Sequence, residues 1–187
     1  LLGIAAVCLA GFTFAQDAPL WMRHSVISPD GTTIAFTYKG DIYTVPVAGG
    51  RAMQITTNPA YDTAPVWSPD SKRIAFASDR MGSLDVYIVA KDGGEPRRLT
   101  THSGSETRLA FTDAGHVLFS AGIMPSAEAV VFPSNGQFNQ VYRVSVEGGR
   151  PTMISSMPME CISINKEGAM LYLSLIHISE PTRLGMI

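Results

Sequence analysis

Short apolar runs of period two alternate along this chain with polar breaks rich in glycine and proline. The clearest run is Arg73 to Ser78, where Ile74 and Phe76 fall on one face and Ala75 and Ala77 on the other. That alternation predicts a strand whose small face packs tightly on a neighbouring sheet. Pro65-Val66-Trp67 is a short extended run ahead of it, and Ser68-Pro69-Asp70-Ser71 is a turn between the two. Proline presets φ at the second turn position, and Ser and Asp side chains bond their own backbone. Beyond the polar loop Asp79 to Ser83, Asp85-Val86-Tyr87-Ile88-Val89 reads as a third strand of β-branched and aromatic residues. Lys91-Asp92-Gly93-Gly94 is a hairpin turn, because paired glycines supply positive φ. Pro96 to Thr100 is a fourth strand, and its proline and two arginines suit a sheet edge.

The same order of parts recurs. Ile27-Ser28-Pro29-Asp30-Gly31 leads into Ile34-Ala35-Phe36, 40 residues before Trp67-Ser68-Pro69-Asp70-Ser71 leads into Ile74-Ala75-Phe76. Looser copies are Phe111 to Gly115 before Val117-Leu118-Phe119, and Ile164 to Gly168 before Leu171-Tyr172. The third strand recurs as Asp41 to Val45 and Gln140 to Val144, the glycine pair as Gly49-Gly50 and Gly148-Gly149, and the fourth strand as Met53 to Thr56 and Thr152 to Ser155. The third unit is widened by an insertion at about 122–138, with Pro125, Pro133 and Asn135-Gly136, that reads as a long surface loop. The units run about 21–56, 62–100 and 106–155, with another starting at 159. A period of about 40–45 residues with four strands per unit predicts an all-β chain, a β-propeller of four-stranded antiparallel blades. The alternative is a simple meander or sandwich. Propellers close with about 4–8 blades. Three blades and the start of a fourth therefore make an incomplete ring, which alone would expose an unpaired blade face. Residues 16–173 expressed alone are expected to aggregate or unfold without cooperativity.

The two ends obey other rules. Residues 1–15 form an uncharged apolar run, shorter than the roughly 20 residues of a membrane span, and read as the core of a truncated signal peptide. The propeller is assigned to residues 16–173. After Leu173 the repeat pattern stops, and 174–187, with His177, Glu180 and Arg183, reads as a non-native tail resembling a translated sequencing adapter.

Composition changes the picture little. The 187 residues carry a net charge of −2 and no basic stripe, which argues against a nucleic-acid partner. No membrane contact is expected beyond the signal segment. Cys8 would leave with that segment, and Cys161 would then stand alone. No Gly-x-Ser-x-Gly elbow, His-Glu-x-x-His, Cys-x-x-Cys or phosphate loop occurs, so the residues nominate no catalytic, metal or cofactor-binding position. His102 and His116 read as loop and turn residues, while His24 is the one to watch, because strand ends can face a propeller's channel. Asp79, Arg80 and Asp85 form the most polar cluster and could bind a charged peptide end, or could bond within the blade and fix the loop before strand three. Tyr43, Tyr87 and Tyr142 share one repeat position and point to packing between blades. Trp21 and Trp67 are read as core or strand-end residues.

The string Pro65 to Asp70, Ile74 to Arg80, Asp85-Val86-Tyr87, Gly93-Gly94 and Arg98-Leu99-Thr100 resembles a TolB-type, WD-repeat-like propeller repeat over residues 20–173. Leu20-Trp21-Met22-Arg23, Lys39 to Pro46, Thr56 to Asp62 and Val131-Phe132-Pro133-Ser134 are similar to exported tricorn-type serine peptidases. That resemblance implies a propeller that gates or docks peptide and protein substrates, ahead of a PDZ-like module and a Ser-type catalytic domain outside this stretch. It also implies a periplasmic or extracellular site, and that the rest of the chain closes the ring. Two alternatives stay open: a non-enzymatic TolB-like docking propeller, and the propeller of a prolyl-oligopeptidase-like peptidase or amidohydrolase.

Overall fold

The computed structural model describes residues 21–102, 104–122, 139–155, 161–164 and 170–173. The signal reading at 1–15, nearly all of the insertion at 122–138 and the tail at 174–187 lie outside the described residues. Within them every regular element is a strand. The first sheet holds β1 (Arg23–Ile27), β2 (Thr33–Tyr38), β3 (Asp41–Pro46) and β4 (Met53–Gln54). The second holds β5 (Asp62–Trp67), β6 (Arg73–Ser78), β7 (Asp85–Ala90) and β8 (Arg97–Arg98). The third holds β9 (Glu106–Asp113), β10 (His116–Ala121), β11 (Gln140–Ser145) and β12 (Thr152–Ser155). Each is an antiparallel meander in sequence order, and β13 (Cys161–Ile164) pairs with β14 (Met170–Leu173) as a further hairpin.

The repeated turn builds itself. Gly31 N–H donates to the Ser28 carbonyl at 2.8 Å, and Ser71 N–H to that of Ser68 at the same distance. The Ser28 and Ser68 hydroxyls each donate to the following Asp, Asp30 or Asp70, at 2.5 Å. Those hydroxyls hold both carboxyls below the usual carboxylate range. Ser71 stands where the first copy has Gly31, and both have positive φ, 57° and 72°. Ser71 keeps this costly conformation and uses its hydroxyl to accept from Asp30 N–H at 3.1 Å, linking successive turns.

The blades pack face to face, as the alternation predicts. Ile74, Phe76, Tyr87 and Val89 of the second blade meet Ala35, Ile42 and Ile55 of the first. The opposite face, Ala75, Ala77, Val86 and Ile88, meets Leu109, Phe111, Val117 and Phe119 of the third. Large residues on one side and small ones on the other let sheets nest. Trp67 is buried and its Nε1 donates to the Val26 carbonyl at 3.2 Å, tying the inner strands of two blades. Of the two roles expected for Trp21, core or strand end, exposure removes the first: it is 70% exposed, two residues ahead of β1, with the Arg23 guanidinium 5.5 Å from its ring centroid.

Tyr43, Tyr87 and Tyr142 stack on Phe36, Phe76 and Phe119 at centroid distances of 5.8, 5.9 and 5.7 Å. Tyr87 and Tyr142 are buried between blades. Tyr43 is only half-buried. It lines an open apolar groove of about 650 Å³ with Met22, Ile34, Phe36 and Val45.

Candidate functional site: the polar junctions between blades

The first strands of neighbouring blades pack on one another, which places β1, β5 and β9 along the inner edge of the fan. Each carries a bulge. At that bulge stands a non-glycine residue with positive φ: His24 (51°), Ala64 (51°) or Arg108 (54°). Each lies four residues before the Ser28, Ser68 or Thr112 that opens the turn. A bulge with a left-handed residue re-aims a strand locally, a common device near binding surfaces. His24 therefore sits at an inner-strand bulge, and Arg108 shares its place. Counting back from the repeated turn would have found Arg108.

One end of each blade collects charge. Asp62 opens β5 and its N–H donates to the Gly40 carbonyl of the first blade at 2.7 Å; Glu106 opens β9 and its N–H donates to the Leu84 carbonyl of the second at 2.6 Å. Both side chains are fully buried. Beside Asp62 lies Asp41, whose Oδ2 accepts from Gln54 at 3.0 Å and whose Oδ1 accepts from Thr56 at 3.3 Å. Beside Glu106 lies Asp85, paired with Arg98 at 2.8 Å. Thr56 and Thr100 are equivalent clasps: each hydroxyl accepts a backbone N–H, from Ile42 or Val86, at 2.9 and 2.8 Å. Thr100 then donates to Glu106 Oε2 at 3.0 Å.

The cation of each junction sits differently. Arg80 Nη2 meets Asp62 Oδ2 at 2.7 Å, and its guanidinium lies 5.6 and 5.0 Å from the Phe76 and Tyr87 ring centroids. Asp79 accepts from Tyr61 N–H at 2.7 Å. Asp79, Arg80 and Asp85 are thus engaged within the second blade and fix its loop. Burial beside Asp85 pushes the Glu106 carboxyl up to about 8, so it is protonated at neutral pH. Burial likewise raises the Asp41 carboxyl. His102 accepts from Gly104 N–H at 2.9 Å, and His116 lies 3.0 Å from Asp113. Among the described residues no group of three or more His, Cys, Asp or Glu gathers as metal ligands.

Three nested four-stranded antiparallel meanders with their first strands inward define blades of a β-propeller. The Tricorn protease N-terminal beta propeller domain family matches residues 19–182, and the chain belongs to that family. Tricorn protease homolog 1 of Streptomyces coelicolor is 32% identical over 102 residues, covering 54% of this chain and 9% of the relative. The Tol-Pal system protein TolB of Bordetella pertussis is 44% identical over 55 residues, covering 29% of this chain and 13% of the relative. The chain therefore matches only about a tenth of these relatives' lengths. The crystal structure of TolB from Acinetobacter baumannii aligns with a TM-score of 0.62 at 22% identity, covering 81% of this chain and 37% of that one.

Proposed function

We propose that this chain is the substrate-gating or docking propeller of an exported tricorn-like serine peptidase, with hydrolysis carried by a catalytic domain elsewhere in the same protein. The observation that carries the reading is the family match over 19–182, together with the peptidase relative of which this chain is a small share. The propeller would present peptide or protein substrates along the inner edge where His24, Ala64 and Arg108 lie. The rest of the chain would cover the open groove of Phe36 and Tyr43, whose counterpart on the second blade is covered by the first. Residues 1–15 would direct export, and 174–187 would be foreign to the native frame.

The likeness to TolB supports a second reading, a periplasmic propeller that docks proteins without hydrolysis. Fold cannot separate the two, because activity resides in the attached site. Sequencing the gene across Ser174 and treating the complete secreted protein with a fluorophosphonate serine probe would separate them. Covalent labelling, lost when the labelled serine becomes alanine, is expected. A frame that closes soon after the blades, with no labelling, would leave the docking reading.

A further inference from the structure

The junction of blades one and two and that of blades two and three are one pocket built twice. The first is lined by Thr56, Thr57, Asn58, Glu95 and Pro96, with Arg80 inside; its volume is about 400 Å³. The second is lined by Thr100, Thr101, His102, Arg150 and Pro151, with Glu106 and Tyr142 inside; its volume is about 390 Å³. Thr, Thr and Pro recur position for position. The acid recurs as Asp62 and Glu106, and the ring pair recurs as Phe76–Tyr87 and Phe119–Tyr142, with interplanar angles of 24° and 21°. The cation changes place: Gln54 beside Asp41 becomes Arg98 beside Asp85, while Arg80 beside Asp62 has no cationic counterpart in sequence. Ser78-Asp79-Arg80 corresponds to Ala121-Gly122-Ile123, so the guanidinium is replaced in sequence by an alkyl group. Residues 123–138 contain no Lys or Arg.

We propose that the pocket between the second and third blades binds the guanidinium of an arginine residue, which takes beside Glu106 and Tyr142 the position that Arg80 holds beside Asp62 and Tyr87. Glu106 lines the pocket, its Oε1 is buried and accepts from no donor, and its carboxyl adjoins that of Asp85, toward which the protonated acid directs its hydrogen. Asp85 stands behind it with Arg98, and Thr100 holds the other oxygen. The remaining titratable groups on the pocket wall are His102, Tyr142 and Arg150. Arg150 is exposed at the mouth, where the first junction has Glu95. A planar, weakly hydrated guanidinium suits a partly buried acid flanked by an aromatic ring better than a strongly hydrated ammonium does. Glu106 is protonated in the empty pocket at neutral pH, so a bound cation displaces that proton to solvent.

Calorimetry on the complete protein carrying this propeller tests the site, using acetyl-Gly-Arg-Gly-amide, its citrulline isostere and free arginine. The arginine peptide is expected to bind at pH 7 with release of about one proton, read from buffers of different ionisation heat, and with almost none at pH 9. The citrulline peptide is expected not to bind. Glu106→Gln should weaken arginine binding by about 30-fold or more while the far-ultraviolet spectrum stays unchanged. Free arginine matching the peptide would assign the contact to the guanidinium alone; a tighter peptide would show that an arginine within a chain is the natural occupant. Equal binding of arginine and citrulline peptides would overturn the proposal even if E106Q failed to fold. Binding seen only in R150Q would show that Arg150 itself fills the pocket, and would overturn it too.

Discussion

Asp62 and Glu106 occupy the same place in successive blades, and only Asp62 is directly paired with a guanidinium, because in the second junction the cation, Arg98, is paired with the neighbouring Asp85. Both are fully buried at the start of an inner strand, and both donate a backbone N–H to the preceding blade. Arg80 neutralises Asp62 and stacks near two rings. Glu106 has Thr100 on one oxygen and an acid, Asp85, nearby, and burial keeps it protonated. The repeat thus holds its apolar frame constant and lets the charge change from junction to junction. Packing tolerates little change at fixed positions, because a cavity or an overlap is costly at once. A buried acid has two ways to be neutral, a cation or a proton, and the junctions assign them to opposite positions: Arg80 pairs Asp62 while burial raises Asp41, and Arg98 pairs Asp85 while burial raises Glu106.

Removing the cation should give the largest effect. Arg80→Met leaves Asp62 buried without its partner and is expected to cost about 3–5 kcal/mol, read from the denaturant midpoint at pH 7. A loss below about 1 kcal/mol would mean that the Arg80–Asp62 pair contributes little, and the place of the cation would not distinguish the junctions. The apolar frame can be compared in the same way. Ile74→Ala, on the covered face of the second blade, should cost about 2–5 kcal/mol. Ile34→Ala, at the corresponding place on the open face of the first, should cost less than half of that in the complete protein if nothing covers the groove. Equal losses in the complete protein would indicate that another blade covers Ile34 as the first covers Ile74.

A smaller effect is a slope with pH. The Glu106 carboxyl is raised in the folded state, so its contribution is fully present below the unfolded carboxyl value and is lost as pH rises toward about 8. The melting temperature should therefore fall between about pH 5 and 8, and Glu106→Gln, neutral throughout, should flatten that part of the profile. An unchanged slope in E106Q would assign it to other groups. The smallest effect concerns the turn. Ser71→Gly relieves a left-handed serine but removes the acceptor for Asp30 N–H. These oppose each other, and a net change within about 1 kcal/mol is expected.

Much of the frame was legible because it repeats at fixed spacing. The alternation of Ile74 and Phe76 with Ala75 and Ala77 predicted which side faces a neighbour, and the shared position of three tyrosines predicted packing between blades. The junction acids were only partly legible. Asp62 and Glu106 each lie six residues before the turn residue, Ser68 or Thr112, so their equivalence could have been counted from the repeat. Their burial and their hydrogen bonds to Gly40 and Leu84 are shown only by the folded chain. For Trp21 the sequence left core and strand end open, because an aromatic residue beside a strand is often buried, and only its exposure in the folded chain chooses the strand end.

Carbon-13 titration of the Glu106 carboxyl in the complete protein, assigned through E106Q, shows whether the guanidinium is paired with a different acid in the second junction. A midpoint near 8 that moves down when the arginine peptide is added is expected. A midpoint in the ordinary carboxylate range without ligand would show that Glu106 is directly paired with a cation, as Asp62 is with Arg80, and the contrast between the junctions would fail.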